Sequence, residues 1–179
     1  DLLDSRRVRV SDIAPLKNLN APVFLSIGNH ERYVGLDRVI PMLQEVGVVV
    51  LQNRSVTVDE IQIIGIDDAE DRDQVRQQIK NIDMDEQRFK VLLYHRPEGW
   101  DTAAKIKINL MLCGHTHNGQ LFPFNLLVRQ RFSKTHGLHK TDNFHLYVSP
   151  GTGTWGPVMR LGSCNEVTCI DLAANKSVG

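Results

Sequence analysis

The sequence predicts an α/β fold with a layered-sandwich architecture, and three observations support that prediction. Short apolar segments typical of buried strands recur along the chain, and amphipathic segments with helical spacing lie between them. Polar residues gather where the apolar segments end, as they do at the carboxyl ends of strands in α/β folds. The 179 residues are 41% hydrophobic, which suits a single domain spanning 1–179 with a core of its own.

The elements follow in order along the chain. Residues 21–28 form a short apolar run closed by a glycine, which is typical of a buried strand. Residues 35–47 place apolar side chains at helical spacing and end at a glycine. Residues 70–82 resemble a polar surface helix that rests on three apolar side chains. The predicted strands after the first are 48–52, 55–59, 61–67, 90–95, 108–115, 143–151 and, last, 167–172.

Composition excludes several classes of protein. Basic and acidic side chains balance at 21 each, so an extended nucleic-acid interface is disfavoured. The three cysteines, Cys113, Cys164 and Cys169, form no CxxC pair, and we interpret them as reduced packing residues. No apolar run reaches the roughly 18 residues that a membrane span needs, and no signal peptide is visible.

Four short motifs coincide with predicted strand ends or the start of the chain: DLLD (1–4), GNHE (28–31), YHRP (94–97) and GHTH (114–117). Their oxygen and imidazole ligands, without a thiolate, suit Mn, Fe or Zn. Each motif alone has a simpler interpretation, as a turn, a chain end or a hydrogen-bonded histidine. The four together indicate a metal site, with these candidate ligands: Asp1, Asn29, His30, His95, His115 and His117.

The spacing of His115 and His117 leaves two geometries open. In an extended segment the two side chains would share one face. In a tight turn after the strand they would diverge and reach different metal ions. Sequence does not choose between these arrangements.

The four motifs, in this order and over nearly the whole chain, resemble those of the calcineurin-like metallophosphoesterases. The segments NGQLFP, SPGTGTWGPVMRLG and NEVTCIDL resemble a bacterial branch whose members are often preceded by a membrane segment. The resemblance implies a four-layer αββα sandwich, two divalent metal ions and a phosphate-ester substrate. It also implies a membrane-associated or cell-envelope location in a bacterium, with the cytoplasm as the alternative.

The resemblance assigns roles to individual positions. Asp1 matches the carboxylate that bridges the two metals, and Asn29, His95 and His115 match the other ligands of the second metal site. His117 matches a ligand of the first site. Three further residues match neighbouring roles: His30 as the general acid, Glu31 as the partner that orients His30, and Asp4 as a residue that holds the loop after Asp1.

One departure from the family concerns its D-x-H motif, which completes the first metal site on the first strand. No such motif precedes Asp1 in this sequence. We therefore expect an N-terminally truncated domain that lacks its first strand and holds one metal ion or none. An exposed sheet edge would follow, and we expect that edge to pair in a homodimer.

The hypothesis for function is a metal-dependent phosphomonoesterase or phosphodiesterase. A hydroxide between two metals would attack phosphorus, and His30 would protonate the leaving group. The alternatives are a nuclease of the same fold and a non-catalytic binding scaffold. Retention of His30 in GNHE disfavours the scaffold.

Two further segments each have two interpretations. Residues 121–132 form either a segment tucked over the core or an apolar, cation-rimmed lip that meets a lipid or membrane surface. Residues 149–157 form either a plain turn between two strands or a loop that approaches a substrate phosphate, with Arg160 as a charge partner. His136, His139 and His145 are assigned structural or surface roles.

Overall fold

The computed structural model describes residues 1–141 and 143–173. The last six residues of the expected domain, 174–179, lie outside the described part of the chain. The α-helices are α1 (Val10–Ile13), α2 (Asn29–Val34), α3 (Leu36–Glu45), α4 (Gln74–Gln78), α5 (Trp100–Lys105) and α6 (Phe124–Arg131). The strands are β1 (Val23–Leu25), β2 (Val48–Val50), β3 (Arg54–Val58), β4 (Ile61–Ile66), β5 (Phe89–Tyr94), β6 (Leu110–Cys113), β7 (Gly137–Thr141) and β8 (Phe144–Val148).

Two sheets organise the molecule. A six-stranded sheet has the order β3-β4-β5-β6-β8-β7, in which the inner strands β4, β5, β6 and β8 are parallel and the outer two are antiparallel. β1 and β2 form a parallel two-stranded sheet. The carboxyl ends of the four parallel inner strands therefore meet at one edge, where ligands bind in such folds.

Helices cover the outer face of each sheet. One core cluster packs α4 and α5 against the six-stranded sheet, with Leu92, Met111 and Leu146 at its centre. A second cluster packs α2 and α3 against β1 and β2, with Val39 and Leu43 fully buried. The helix–sheet–sheet–helix order confirms the predicted αββα sandwich.

A glycine allows the two sheets to approach each other closely. A Cβ at Gly65, in β4, would lie 2.2 Å from the Cβ of Leu51 and 2.7 Å from its carbonyl oxygen. Leu51 follows β2 and is completely buried. Only a residue without a side chain fits at this contact.

Most of the predicted elements are present, but the prediction for 167–172 is wrong. This segment has apolar side chains but forms no strand in the structure. Ile170 and Leu172 instead lie over the inner face of the six-stranded sheet, beside Ile63 and Leu93. The predicted helix over 70–82 is also shorter, because α4 gives way to a 3₁₀ turn at Ile79–Asn81.

The cysteines only partly match their interpretation as packing residues. Cys113 is buried at the end of β6, and burial raises the pKa of its thiol. Cys164 and Cys169 are free thiols on the surface, so they are not core residues. Among the described helices, none is both long and apolar enough to traverse a bilayer.

Candidate metal centre

The metal centre lies at the edge where the parallel strands end. His95 follows β5 directly, and His115 lies two residues beyond the end of β6. Asn29 is the first residue of α2, after β1, so it approaches from the two-stranded sheet. Because the strands of both sheets end here, side chains that are far apart in sequence meet at one point.

Four side chains converge on this point. Nε2 of His95 lies 2.8 Å from Oδ2 of Asp1 and 2.9 Å from Nδ1 of His115. The same Nδ1 lies 3.2 Å from Oδ1 of Asn29. One ligand atom from each of Asp1, His95 and His115 falls within 4.8 Å of the others. Within 1–141 and 143–173, these three residues are the only such cluster of histidine, cysteine and acidic side chains.

The two histidines at this centre are held in the neutral form. Burial lowers the pKa of His115 to about 3, and the positive charges of nearby groups act in the same direction. Burial also lowers the pKa of His95, which is 8% exposed. A neutral imidazole keeps a lone pair for a cation, and a carboxylate and an amide oxygen complete a donor set that suits a divalent ion. The residues present therefore fit a bound divalent metal ion.

Glu31 fixes Asp1 at the centre. Its buried carboxylate accepts hydrogen bonds from the backbone N–H groups of Leu2, Leu3 and Gly28, at 2.5, 2.9 and 2.9 Å. Burial alone would raise the pKa of Glu31. The amino group of Asp1 and these backbone hydrogen bonds together lower it by more, so the pKa lies below its ordinary value. Glu31 thus ties the DLLD loop to GNHE, and in the structure it makes no hydrogen bond to the side chain of His30.

Gly28 provides the space for Asp1. A Cβ at this position would lie 2.1 Å from Oδ1 of Asp1, well inside van der Waals contact. The same Oδ1 accepts a hydrogen bond from the backbone N–H of His30 at 3.0 Å. Asp4, by contrast, is exposed and makes no side-chain hydrogen bond or ion pair within the described residues, so the loop-holding role expected of it falls instead to Glu31.

His115 and His117 diverge, as one of the two open geometries requires. Both have left-handed backbone conformations, with φ of 69° and 49°, so GHTH forms a tight turn rather than an extended segment. His117 lies outside the cluster of Asp1, His95 and His115, and its Nδ1 accepts a hydrogen bond from Arg160 at 3.2 Å. Burial and the neighbouring guanidinium lower the pKa of His117 to about 4.

The two terminal nitrogens of the Arg160 guanidinium bind groups of the protein, whereas its buried Nε has no partner among the described residues. Besides Nδ1 of His117, its guanidinium donates to the carbonyl oxygens of His117, Pro150 and Gly153, at 3.1, 2.7 and 2.5 Å. These bonds fold the 149–157 loop against GHTH. Arg160 thus has a structural role in this loop, and its contact with a substrate phosphate stays a prediction.

A cavity of about 400 Å³ opens over the centre. Asp1, His30, His115 and His117 line its floor, and the ring of His30 lies 5.7 Å from that of Tyr33. Phe124 and Trp155 line its wall together with further apolar side chains of α6. The cavity therefore combines metal-type ligands, a histidine that can transfer a proton, and an apolar wall.

Sequence reasoning missed a buried acidic pair beside the centre. Asp68 follows β4 and is fully buried, and its two carboxylate oxygens share the N–H of Arg96 Nε, each at 2.9 Å. Asp67 is also buried, and burial raises its pKa. This ion pair anchors the residue after His95 to the next strand. Two acidic residues at the end of an apolar run were the available signal.

The fold and the centre define an α/β sandwich protein with a site for a divalent cation. The chain is 31% identical to an uncharacterized metallophosphoesterase of Campylobacter jejuni, over 98% of this chain and 50% of that protein. It is 29% identical to phosphodiesterase YaeI of Escherichia coli, over 85% of the chain and 58% of the relative. It is 32% identical to a transmembrane protein with metallophosphoesterase domain of Danio rerio, over 96% and 44%.

Over most of its length the chain is therefore similar to metallophosphoesterases, in agreement with the resemblance of its motifs to the calcineurin-like family. No protein-family model matches it, and no solved structure matches it. The chain spans about half the length of the first curated relatives it matches.

Proposed function

We propose that the protein is a metal-dependent phosphoesterase that hydrolyses phosphomonoesters or phosphodiesters at this centre. The supporting observation is the convergence of Asp1, His95 and His115 on one point at the floor of a cavity that His30 also lines. Bound divalent ions would lower the pKa of water and neutralise the charge on the phosphate oxygens.

The chain's own residues divide the remaining work. Asp1, Asn29, His95 and His115 would hold one ion, and Mn, Fe and Zn all suit these donors. His117 and the Asp1 carboxylate would face a second ion only where the D-x-H motif of the family is also present. His30 is half-buried, and its side chain makes no hydrogen bond within the described residues, so its ring is free to donate a proton to the leaving oxygen.

The test separates metal binding from proton transfer. His30→Asn should lower kcat about 100-fold or more while metal content stays that of the parent protein. His95→Ala should instead remove metal, and activity with it, because it deletes a ligand that lies within 3 Å of two others. Metal content is read by plasma spectrometry and turnover with bis(p-nitrophenyl) phosphate. Loss of metal in His30→Asn would contradict the assigned roles.

We further propose that residues 121–132 meet a lipid surface. No residue of α6 is buried, which favours the apolar lip over a segment tucked over the core. Phe122 and Leu126 are 58% and 56% exposed, and Arg129 and Arg131 lie in the last turn of the helix. Apolar side chains next to cations are typical of helices that lie on anionic membranes.

Vesicle binding tests this surface. Phe122→Asp together with Leu126→Asp should abolish co-sedimentation with anionic vesicles and leave hydrolysis of a soluble ester unchanged. Leu19→Asp, at an exposed leucine outside the segment, serves as the control. Binding that survives the double substitution would show that 121–132 is not the contact.

A homodimer is proposed for the open edge of the two-stranded sheet. Among the described strands, β1 pairs only with β2, which leaves its other edge free to accept a strand. Sedimentation equilibrium of the full-length protein decides this. A monomer at concentrations near 100 μM would contradict the proposal.

A further inference from the structure

Two segments that lie far apart in sequence are fastened together above the metal centre. The side chain of Gln120, which closes GHTHNGQ, is 1% exposed. Its Oε1 accepts from the backbone N–H of Trp155 at 2.9 Å, and its Nε2 donates to the carbonyl oxygen of Trp155 at 2.8 Å. One amide side chain thus holds both backbone groups of a single tryptophan, as a neighbouring strand would.

The backbone on either side strengthens this connection. The N–H of Leu161 donates to the carbonyl oxygen of Gln120, and the N–H of Phe122 donates to that of Leu161, both at 2.8 Å. Arg160 ties the loop carbonyls to His117 from the other side. Contacts with residues outside the 149–157 loop, above all Gln120, therefore help to fix the position of Trp155.

The indole of Trp155 forms part of the cavity wall. It lies 6.0 Å from the ring of Phe124, tilted by 58°, and remains 40% exposed. The same cavity has His30, His115 and His117 at its floor. A phosphate bound at the floor would place its organic substituent against this aromatic wall, since the rest of the cavity is bounded mainly by apolar side chains of α6.

We propose that Trp155 is a specificity-determining residue that contacts the alcohol portion of the phosphate ester, and that Gln120 is its positioning residue. The substrate class is then a phosphate ester whose alcohol is apolar, alkyl or aryl, rather than small and polar. This inference rests on the proposed function, because it takes the floor of the cavity as the phosphate site.

Phosphonates test the inference without turnover, since their P–C bond is not an ester. Calorimetric titration of the metal-loaded protein compares octylphosphonate with methylphosphonate. The parent should prefer octylphosphonate by about tenfold or more, because even a partly buried chain removes apolar surface from water. Trp155→Ala should reduce that preference to about threefold or less without changing the affinity for methylphosphonate, whereas Trp155→Phe should retain most of it.

Two further variants complete the test. Val158→Ala removes a 94% exposed apolar side chain from the same loop, outside the cavity, and should leave the preference intact. Gln120→Met has similar volume but cannot hold Trp155, so it should lower the preference at unchanged methylphosphonate affinity. A parent that binds both phosphonates equally, or a preference that survives Trp155→Ala, would overturn the inference.

The outcome also separates this inference from the function beneath it. A preference for octylphosphonate that depends on Trp155, in a protein that hydrolyses no ester, would support the role of Trp155 and contradict the proposed phosphoesterase function. Hydrolysis of esters without such a preference would support the phosphoesterase function and contradict the role of Trp155. Failure to bind either phosphonate would overturn both.

Discussion

Individual residues at the centre are shaped by burial more than by their sequence neighbours. His95 is almost completely enclosed, which explains why it stays neutral although a carboxylate oxygen of Asp1 lies 2.8 Å away. The side chain of Asp1 is only 15% exposed, because the missing side chain of Gly28 leaves room for it. Close contact and enclosure together create a ligand set that is ready for a cation.

This enclosure predicts how the metal-free protein responds to acid. The pKa of His95 is lowered in the folded protein, whereas the unfolded chain binds the proton near pH 6.5. Below that pH the unfolded state therefore holds more protons, so the free energy of unfolding falls as pH decreases, by up to about 1.4 kcal/mol per pH unit for this group. Above pH 6.5 this contribution is constant.

Urea unfolding between pH 4 and 8, in the presence of a chelator, measures the effect. His95→Asn should make the pH dependence below 6.5 less steep, while His115 and His117, whose pKa values are also lowered, keep their own contributions. An equally steep loss of stability in His95→Asn would show that other groups are responsible.

At the scale of elements, the short helix α2 carries more of the centre than its length suggests. It supplies Asn29 to the ligand set, His30 to the cavity floor and Glu31 to the DLLD loop. Three consecutive residues point in three directions because they occupy the first turn of a helix. A change in the position of α2 would therefore affect the metal ligands, the cavity and the DLLD loop at once.

Replacing Glu31 should disconnect the DLLD loop. In Glu31→Gln one carboxylate oxygen becomes an NH₂ group, which cannot accept the backbone hydrogen bonds that now converge there. We expect a loss of about 1–3 kcal/mol in the free energy of unfolding and a metal affinity about 10–100-fold lower, since Asp1 loses its anchor. Chemical unfolding and metal titration measure both.

Glu45→Gln, at an exposed position on α3, is the matched control and should change neither quantity. Parent-like metal affinity in Glu31→Gln would mean that Asp1 is held by its other contacts.

Sequence patterns predicted every described strand except β7, and they also predicted a strand at 167–172, where none forms. β4, β5, β6 and β8 are short apolar runs bounded by polar or glycine residues, a length and setting that favour buried strands over helices. Residues 167–172 show the same apolar character, but a strand also needs a neighbour's backbone, which no local pattern reveals.

The candidate site shows the same division. Short motifs indicated Asp1 at the start of the chain and His95 and His115 at strand ends. The part proposed for Gln120 depends on a residue 35 positions away and has no local signature. Arg160 was assigned to substrate because its charge is visible in the sequence and its carbonyl partners are not.

At the scale of the whole molecule, the contact between Gly65 and Leu51 sets how closely the two sheets pack. Gly65→Ala would force a methyl group against backbone that cannot move without shifting β2. We expect it to lower the free energy of unfolding by about 1–3 kcal/mol, the usual cost of overpacking. Thermal unfolding measures this, with Thr57→Ala, an exposed change on β3 of the same sheet, as the control. A Gly65→Ala protein as stable as the control would show that the sheets can separate at little cost.

The ligands of the metal centre come from both sides of this joint: Asn29 follows a strand of the smaller sheet, and His95 and His115 follow strands of the larger one. A cation bound between them would connect the two sheets, so the free energy of unfolding would depend on the concentration of the ion. At a free-ion concentration of 100 times the dissociation constant, binding would add about 2.7 kcal/mol to the free energy of unfolding. When the ion is scarce, packing and a few hydrogen bonds, such as the one from the N–H of Asp68 to the carbonyl oxygen of Ile27, would hold the sheets together without it. Loss of metal would therefore weaken the joint between the sheets at the same place as the proposed active site.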